Sequence, residues 1–148
     1  MLIDTLIQLF ERDLNRLINE IGLYKEEATI WKIEKGISNS TGNLTLHLIG
    51  NLNTYIGKEL GGTGYVRNRE LEFSTKFVKR DLLIEQLNAT LEMIKATLSA
   101  LSNKDLMQEY PILVFTEKTT TEYLLVHLTT HLTYHLGQIN YHRRLIEG

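Results

Sequence analysis

The five histidines are the residues of this 148-residue chain whose type and spacing could support chemistry. Four of them lie close together near the C-terminus, at His127, His131, His135 and His142. On an α-helix, which advances by about 100° per residue, these four and Gln138 share one narrow stripe. Apolar residues flank the stripe, so we expect it to point into the protein rather than toward water.

Imidazoles at positions i and i+4 of a helix lie one turn apart and can bind one divalent metal ion together. His127, His131 and His135 have this spacing, and His47 shares a stripe with Asn51 in a second, mostly apolar segment. His47 and two histidines of the last helix would make a three-histidine site with an open coordination position, which is typical of catalytic zinc. The alternative is a set of core histidines that only hydrogen-bond to tyrosine and threonine hydroxyls.

Four long segments with apolar residues at helical spacing must position these histidines. They cover residues 2–21, a stretch that starts after Ser38-Asn39-Ser40 and breaks at Gly61-Gly62, residues 83–101 and residues 121–146. We expect Gly22 to cap the first helix at its C-terminus. Four long helices in a chain of this length predict an all-α fold, a four-helix bundle in which residues 1–148 form a single domain.

The segments between these helices carry weaker signals. Residues 26–33 can make a short helical piece, and Ile112-Leu113-Val114-Phe115 predicts one short extended segment. Residues 61–75, between helices 2 and 3, are rich in glycine and charge and read as a long loop, and such loops are often functional. Arginines in loops are more often solvated, but Arg67 and Arg69 could bind an anionic substrate here.

Composition excludes several classes of function. The formal net charge of −2 argues against sequence-independent nucleic-acid binding, which needs a basic surface. The absence of cysteine excludes disulfides, cysteine-based zinc sites and a cysteine nucleophile. No apolar stretch is long enough to span a membrane, and Asp4 interrupts the first apolar run, so we expect no signal peptide and a cytoplasmic protein.

The second helix predicts how the chain assembles. It is apolar over most of its circumference, with Leu44, Leu48 and Leu52 on one side and Leu46 and Ile49 beyond. A helix of this kind is buried on more than one side, and a four-helix bundle covers only part of it. Since twofold dimers are the commonest closed assembly, we expect a homodimer.

Two stretches of the chain resemble signatures of the DinB/YfiT-like metalloenzyme superfamily. Residues 38–52, SNSTGNLTLHLIGNL, resemble its second-helix signature, and residues 131–139, HLTYHLGQI, resemble its last-helix signature of two histidines four apart followed by Gly-Gln. The resemblance covers essentially the whole chain. It implies a four-helix bundle, often dimeric, with one divalent ion per chain held by His47, His131 and His135. It leaves His142 outside the ligand set, and His127 as a neighbour of the ligands or an alternative ligand.

This superfamily includes bacillithiol and mycothiol transferases and isomerases, so the resemblance implies a small-molecule substrate and a low-molecular-weight thiol as partner. Without a cysteine, a Gly-x-Ser-x-Gly elbow or a carboxylate beside the histidine motifs, the chain offers no evident nucleophile of its own. We therefore expect a metal-dependent hydrolase or thiol S-transferase that uses a metal-bound water or thiolate. Zinc or nickel is the expected ion, and Gln138 and Asn51 are expected to lie next to the ligands.

Two other functions are compatible with the same residues. One is a non-catalytic metal- or ligand-binding stress protein that keeps the site without the reaction. The other is an interaction module whose histidines only form hydrogen bonds. Metal content separates the interaction module from the other two readings, because only a protein with a true ligand set retains a stoichiometric ion.

Overall fold

The computed structural model describes residues 1–148 and is built from helices alone. Four long helices form the body of the protein, and short helices lie in the connections. We number the α-helices α1 (Leu2–Leu23), α2 (Thr41–Leu52), α3 (Arg69–Ser74), α4 (Arg80–Ser99), α5 (Asn103–Met107) and α6 (Thr121–Glu147). A 3-10 helix, Glu27–Trp31, precedes α2, and α2 continues through a π-helical turn, Asn53–Lys58, into a last turn, Glu59–Gly61. The predicted all-α bundle is confirmed.

The core is a single cluster of 26 buried apolar residues to which all four long helices contribute. On α1, the buried residues recur every three or four positions and face α4 and α6. They are Leu6, Phe10, Leu14, Leu17 and Ile21. Each fully buried side chain of this kind contributes about 1.5–3 kcal/mol relative to an exposed one. This cluster fixes the helices against one another and thereby fixes their polar residues as well.

The start of α2 is set by side chains around Ser40. The Ser40 hydroxyl accepts a hydrogen bond from the backbone N–H of Asn43 at 3.1 Å, which caps the helix as predicted. Gly42 lies against the Trp31 ring, and a Cβ at this position would come within 2.5 Å of it. The 3-10 helix therefore packs directly on the first turn of α2.

The π-helical turn ends the regular part of α2 less than two turns beyond His47. The Asn53 side chain donates hydrogen bonds to Ile49 O (2.8 Å) and Thr90 Oγ1 (2.9 Å), and the Tyr110 hydroxyl donates to Tyr55 O (2.6 Å). Two of these bonds therefore give hydrogen-bond donors to the backbone carbonyls of Ile49, before the π-helical turn, and Tyr55, within it. π-helical turns inside α-helices are frequent at functional sites.

The structure corrects three predictions about the connections. Gly22 lies inside α1, and the helix ends because Tyr24 adopts extended backbone and is buried. Residues 61–75 are not wholly irregular, because Asn68 caps the helix α3 by accepting from the backbone N–H of Leu71 at 3.2 Å. The predicted extended segment at residues 112–115 is absent, and a single bridge between Glu109 and Thr120 closes this connection instead.

None of the helices combines the length and the apolar character that crossing a membrane would require.

The apolar circumference of α2, which predicts a homodimer, is partly covered within the chain itself. Helix α3 packs against α2, and Leu46 and Ile49 line a groove of about 510 Å³ together with residues of α3 and α4. The homodimer stays a prediction, with less apolar surface of α2 to bury than the sequence suggests.

The oligomeric state tests this prediction. We expect light scattering at micromolar concentration to give twice the chain mass of 17.1 kDa. A mass of one chain would contradict it.

Candidate metal centre

Three histidines from two helices come together at one point. His47 lies on α2, and His131 and His135 lie one turn apart on α6. The Nε2 atom of His131 is 3.3 Å from that of His47 and 3.1 Å from that of His135. One nitrogen from each ring lies within 4.8 Å of the other two, a group that could hold a metal ion. His47 is buried, whereas His131 and His135 are half-buried, so the cluster is reached from the α6 side.

The outer nitrogens of two of these rings are already bonded. His47 Nδ1 is 3.1 Å from Glu72 Oε1, and His135 Nδ1 is 2.7 Å from Gln138 Oε1. A carboxylate oxygen and an amide carbonyl oxygen can only accept, so each Nδ1 carries the ring proton. The Nε2 atoms of His47 and His135 are then left as lone pairs that face His131.

This arrangement of lone pairs fits a divalent cation. If His131 carries a proton on Nε2, it can donate this proton to His47 or to His135. The Nε2 lone pair of the other histidine is then left without a hydrogen bond. A cation at the centre satisfies all three. Zinc–nitrogen bonds of about 2.0–2.1 Å in a tetrahedral site imply nitrogen–nitrogen separations of about 3.3 Å. The two separations from His131 match that value, and the third pair, His47 and His135, lies within 4.8 Å. The three histidines are therefore a group that could hold the ion.

The environment of His131 and His47 keeps these two rings neutral, as metal binding requires. Burial, followed by the neighbouring His135 and His47, lowers the pKa of His131 to about 4. Burial also lowers the pKa of His47, although the hydrogen bond with Glu72 and its charge oppose the shift. Both imidazoles therefore present unprotonated nitrogens at neutral pH.

Glu72 is the residue of the site that the sequence does not reveal. Its side chain is 6% exposed and lies on α3, inside the segment that was expected to be a loop. The histidine motifs contain no carboxylate in the sequence, and the fold brings this one to His47 from a different segment. Nothing in the local sequence could have placed it, because its contact with His47 joins residues 25 positions apart.

Arg67 faces inward and binds the carboxylate of Glu72. Its guanidinium donates to Glu72 through Nε (2.8 Å to Oε2) and Nη2 (3.0 Å to Oε1), and Nη2 lies 3.3 Å from His47 Nδ1. The guanidinium of Arg67 is thus held in an ion pair with Glu72, and its role as a clamp for an anionic substrate stays a prediction. Arg69 is exposed in the first turn of α3.

The other predicted neighbours of the ligands divide into two groups. Gln138 contacts His135 directly, and Asn51 is buried one turn after His47 with its Oδ1 unpaired. His127 lies outside the cluster and packs its ring against Phe115, with a centroid distance of 4.8 Å. It is therefore no part of the three-nitrogen group.

His142 is a core histidine of the kind that hydrogen-bonds to a tyrosine. It is buried away from the cluster, with Nδ1 2.6 Å from the Tyr24 hydroxyl and Nε2 2.8 Å from Lys32 O. The Nε2 proton is donated to the Lys32 carbonyl, so Nδ1 accepts from Tyr24. Burial lowers the pKa of His142, because the charged ring would be poorly solvated there.

The histidine stripe lies at the edge of the buried face of α6 and not at its centre. The buried apolar residues of this helix centre about 90° around its axis from His131. They are Leu124, Leu125, Leu128, Leu132, Leu136 and Ile139. Tyr134 and Leu145, which flank the stripe on its other side, are 65% and 67% exposed. This edge position explains why His131 and His135 are only half-buried, since a stripe at the centre of the buried face would be shielded from solvent by the other helices.

Comparisons with known proteins agree with this architecture. A family model described as a protein of unknown function (DUF1572) matches residues 2–148. The crystal structure of a DinB-like protein, YjoA, from Bacillus subtilis superimposes with a TM-score of 0.71 over 97% of this chain and 92% of that chain, at 18% sequence identity. The search of curated proteins found no match. The resemblance predicted from residues 38–52 and 131–139 is thus confirmed at the level of the fold.

The lowered pKa of His131 has a consequence for the stability of the metal-free protein. Its pKa is about 4 in the folded state and about 6.5 in an unfolded chain, so the unfolded state binds more protons between these values. We expect the free energy of unfolding, measured with urea in the presence of a chelator, to fall as the pH is lowered from 7.5 to 5. His142 acts in the same direction.

The matched variant for this measurement is His131→Gln, which removes one titrating group and should flatten the decline. An unchanged free energy of unfolding between pH 7.5 and 5 in the original protein would show that these rings do not resist protonation.

Proposed function

We propose that this chain, which belongs to the DUF1572 family within the DinB-like fold family, holds one divalent metal ion through His47, His131 and His135 and acts on a small molecule. The reaction we propose is hydrolysis or the transfer of a group to a thiol. The observation that supports the ion most strongly is the meeting of three Nε2 atoms, two of which carry lone pairs fixed by Glu72 and Gln138.

Hydrogen bonding alone is a weaker explanation of these three histidines. The ring of His131 has two nitrogens, and its Nδ1 is buried without a hydrogen-bond partner. A purely structural histidine in this protein looks different, because His142 uses both ring nitrogens at 2.6 and 2.8 Å. His131 therefore lacks the full set of hydrogen bonds of a structural histidine. A cation bound at its Nε2 would offset part of the cost of burying the ring, while the proton on Nδ1 keeps no partner.

The chain itself supplies orientation and access rather than a nucleophile. It contains no cysteine, and the one buried carboxylate at the site, Glu72, is bonded to both Arg67 and His47. Gln138 holds His135, and the half-exposed edges of His131 and His135 leave a side of the cluster open to a ligand. A divalent ion bound there would supply a Lewis acid that lowers the pKa of a coordinated water or thiol.

A thiol substrate fits this reading better than water alone. Aromatic rings border the cluster, with Phe73 5.1 Å from the His47 ring and Tyr134 5.3 Å from the His135 ring. Such surroundings favour a soft, polarizable sulfur and an organic substrate over a strongly hydrated group. Zinc or nickel is the proposed ion, because neutral imidazole suits both.

Metal content tests the first half of the proposal. We expect elemental analysis of protein purified without a metal-affinity tag to give about one zinc or nickel ion per chain. His47→Ala, His131→Ala and His135→Ala should each reduce the occupancy to a small fraction, because a three-ligand site loses most of its affinity with one ligand. His127→Ala is the matched control, since that ring is outside the cluster, and it should keep the ion. Equal metal occupancy in all four variants would refute the assignment of His47, His131 and His135 as the ligands.

Turnover tests the second half. We expect slow, metal-dependent conversion of small electrophiles in the presence of low-molecular-weight thiols, abolished by chelation and restored by zinc or nickel. His135→Ala should lose it, and His127→Ala should retain it. If the metal-bound protein converts these electrophiles and thiols no faster than His135→Ala does, a non-catalytic metal-binding protein becomes the better account of the same site.

A further inference from the structure

We infer that Glu72 is a positioning residue that fixes the proton of His47 on Nδ1, and that position 50 is a glycine because Glu72 must pass it to reach His47. This inference deepens the proposed function and rests on it only where metal affinity is concerned. It gives a role to a buried carboxylate on α3, an element that the histidine motifs do not include.

The carboxylate of Glu72 is held in its acceptor form by its partners. It is buried, so its polar atoms need partners within the protein. Arg67 binds both of its oxygens, at 2.8 Å to Oε2 and 3.0 Å to Oε1. A guanidinium in this bidentate geometry stabilises the ionised carboxylate. Because an ionised carboxylate cannot donate, the 3.1 Å contact with His47 requires the proton on Nδ1. The longer 3.3 Å approach of Arg67 Nη2 to the same nitrogen is then a contact between two donors and not a hydrogen bond.

The backbone around Glu72 is tied to the helix that carries His47. Asn43, one turn before His47, donates from Nδ2 to Glu72 O (2.9 Å) and to Thr75 O (2.8 Å). The Phe73 ring lies 5.1 Å from the His47 ring. The end of α3 is therefore docked onto α2 at the level of the histidine, and Glu72 is not a surface residue that happens to reach it.

Gly50 makes room for this carboxylate. It lies one turn after His47 on α2, and a Cβ built there would overlap Glu72 Oε2 and lie 2.6 Å from Glu72 Cδ. The carboxylate cannot simply swing aside, because both of its oxygens are bonded to Arg67. A side chain at position 50 would therefore push Glu72 away from His47.

The consequence for a bound ion follows from the tautomer. With its proton on Nδ1, His47 offers the Nε2 lone pair to the cluster at all times, and the neighbouring carboxylate makes that lone pair more basic. Carboxylate partners of ligating histidines typically contribute about 10–100-fold to metal affinity. The carboxylate thus acts through His47, without touching the ion or the substrate.

Two variants test the inference. In Glu72→Gln, Arg67 donates to the amide oxygen and the amide NH2 turns toward Nδ1, which favours the proton on Nε2. In Gly50→Ala, no polar group is changed and the carboxylate is displaced. Gly137→Ala is the matched control, because a Cβ at that helical glycine meets nothing within 4 Å.

The first measurement is the nitrogen-15 spectrum of the His47 ring in the metal-free protein at one pH above 7.5. We expect the original protein and Gly137→Ala to show the proton on Nδ1, and both test variants to shift toward Nε2. The second is zinc affinity by chelator competition, where we expect about 10–100-fold weaker binding in both test variants and no change in Gly137→Ala. Circular dichroism identifies any variant that does not fold, and the other variant then decides.

The outcomes separate this inference from the proposed function. If the original protein binds zinc tightly and both folded test variants keep the Nδ1 proton and bind zinc within twofold of it, the role of Glu72 is refuted and the metal site stands. If the original protein binds no zinc, the proposed function fails, and the ring spectrum alone still decides whether Glu72 sets the tautomer.

Discussion

The packing of α2 against α6 is the constraint on which the site depends. His47 reaches His131 and His135 only because buried leucines of both helices, among them Leu48 and Leu132, fix the two helices in one register. A shift by one residue would turn His47 away by about 100° and leave two imidazoles without a third. Apolar burial thus does the positioning, while the imidazoles themselves cost desolvation that only their partners offset.

A second, polar layer surrounds this contact and comes from outside the four long helices. The segment of residues 61–75 folds back on α2, where Asn43 binds its backbone and Arg67 holds Glu72 against His47. Burying an ion pair stabilises a protein little by itself, because the desolvation of both charges opposes their attraction. Its effect here is geometric, since it fixes one orientation and one tautomer of the His47 ring. The same fold keeps a separate polar network around His142, where both ring nitrogens are bonded.

Much of the fold could be predicted from local patterns. The 3.6-residue period marks the four long helices, and the Ser40 cap marks the start of α2. The grouping of His47, His131 and His135 came from the resemblance to a family, because spacing alone left His127 as an equal candidate. The structure brings those three together and leaves His127 against Phe115. Where signals were weak and short, as at residues 69–74 and 112–115, the predicted local structure was wrong.

The sequence by itself determined which residues share a helical face, because that depends only on spacing along one helix. It determined the helices, the absence of a cysteine nucleophile and the histidine stripe of α6. Only the tertiary structure decided that this stripe lies at the edge of the buried face, and that Glu72 reaches His47 past Gly50. Periodicity gives angles relative to a helix axis but not the direction of the core. Contacts between residues far apart in the chain arise from the packing of whole elements, which no local pattern encodes.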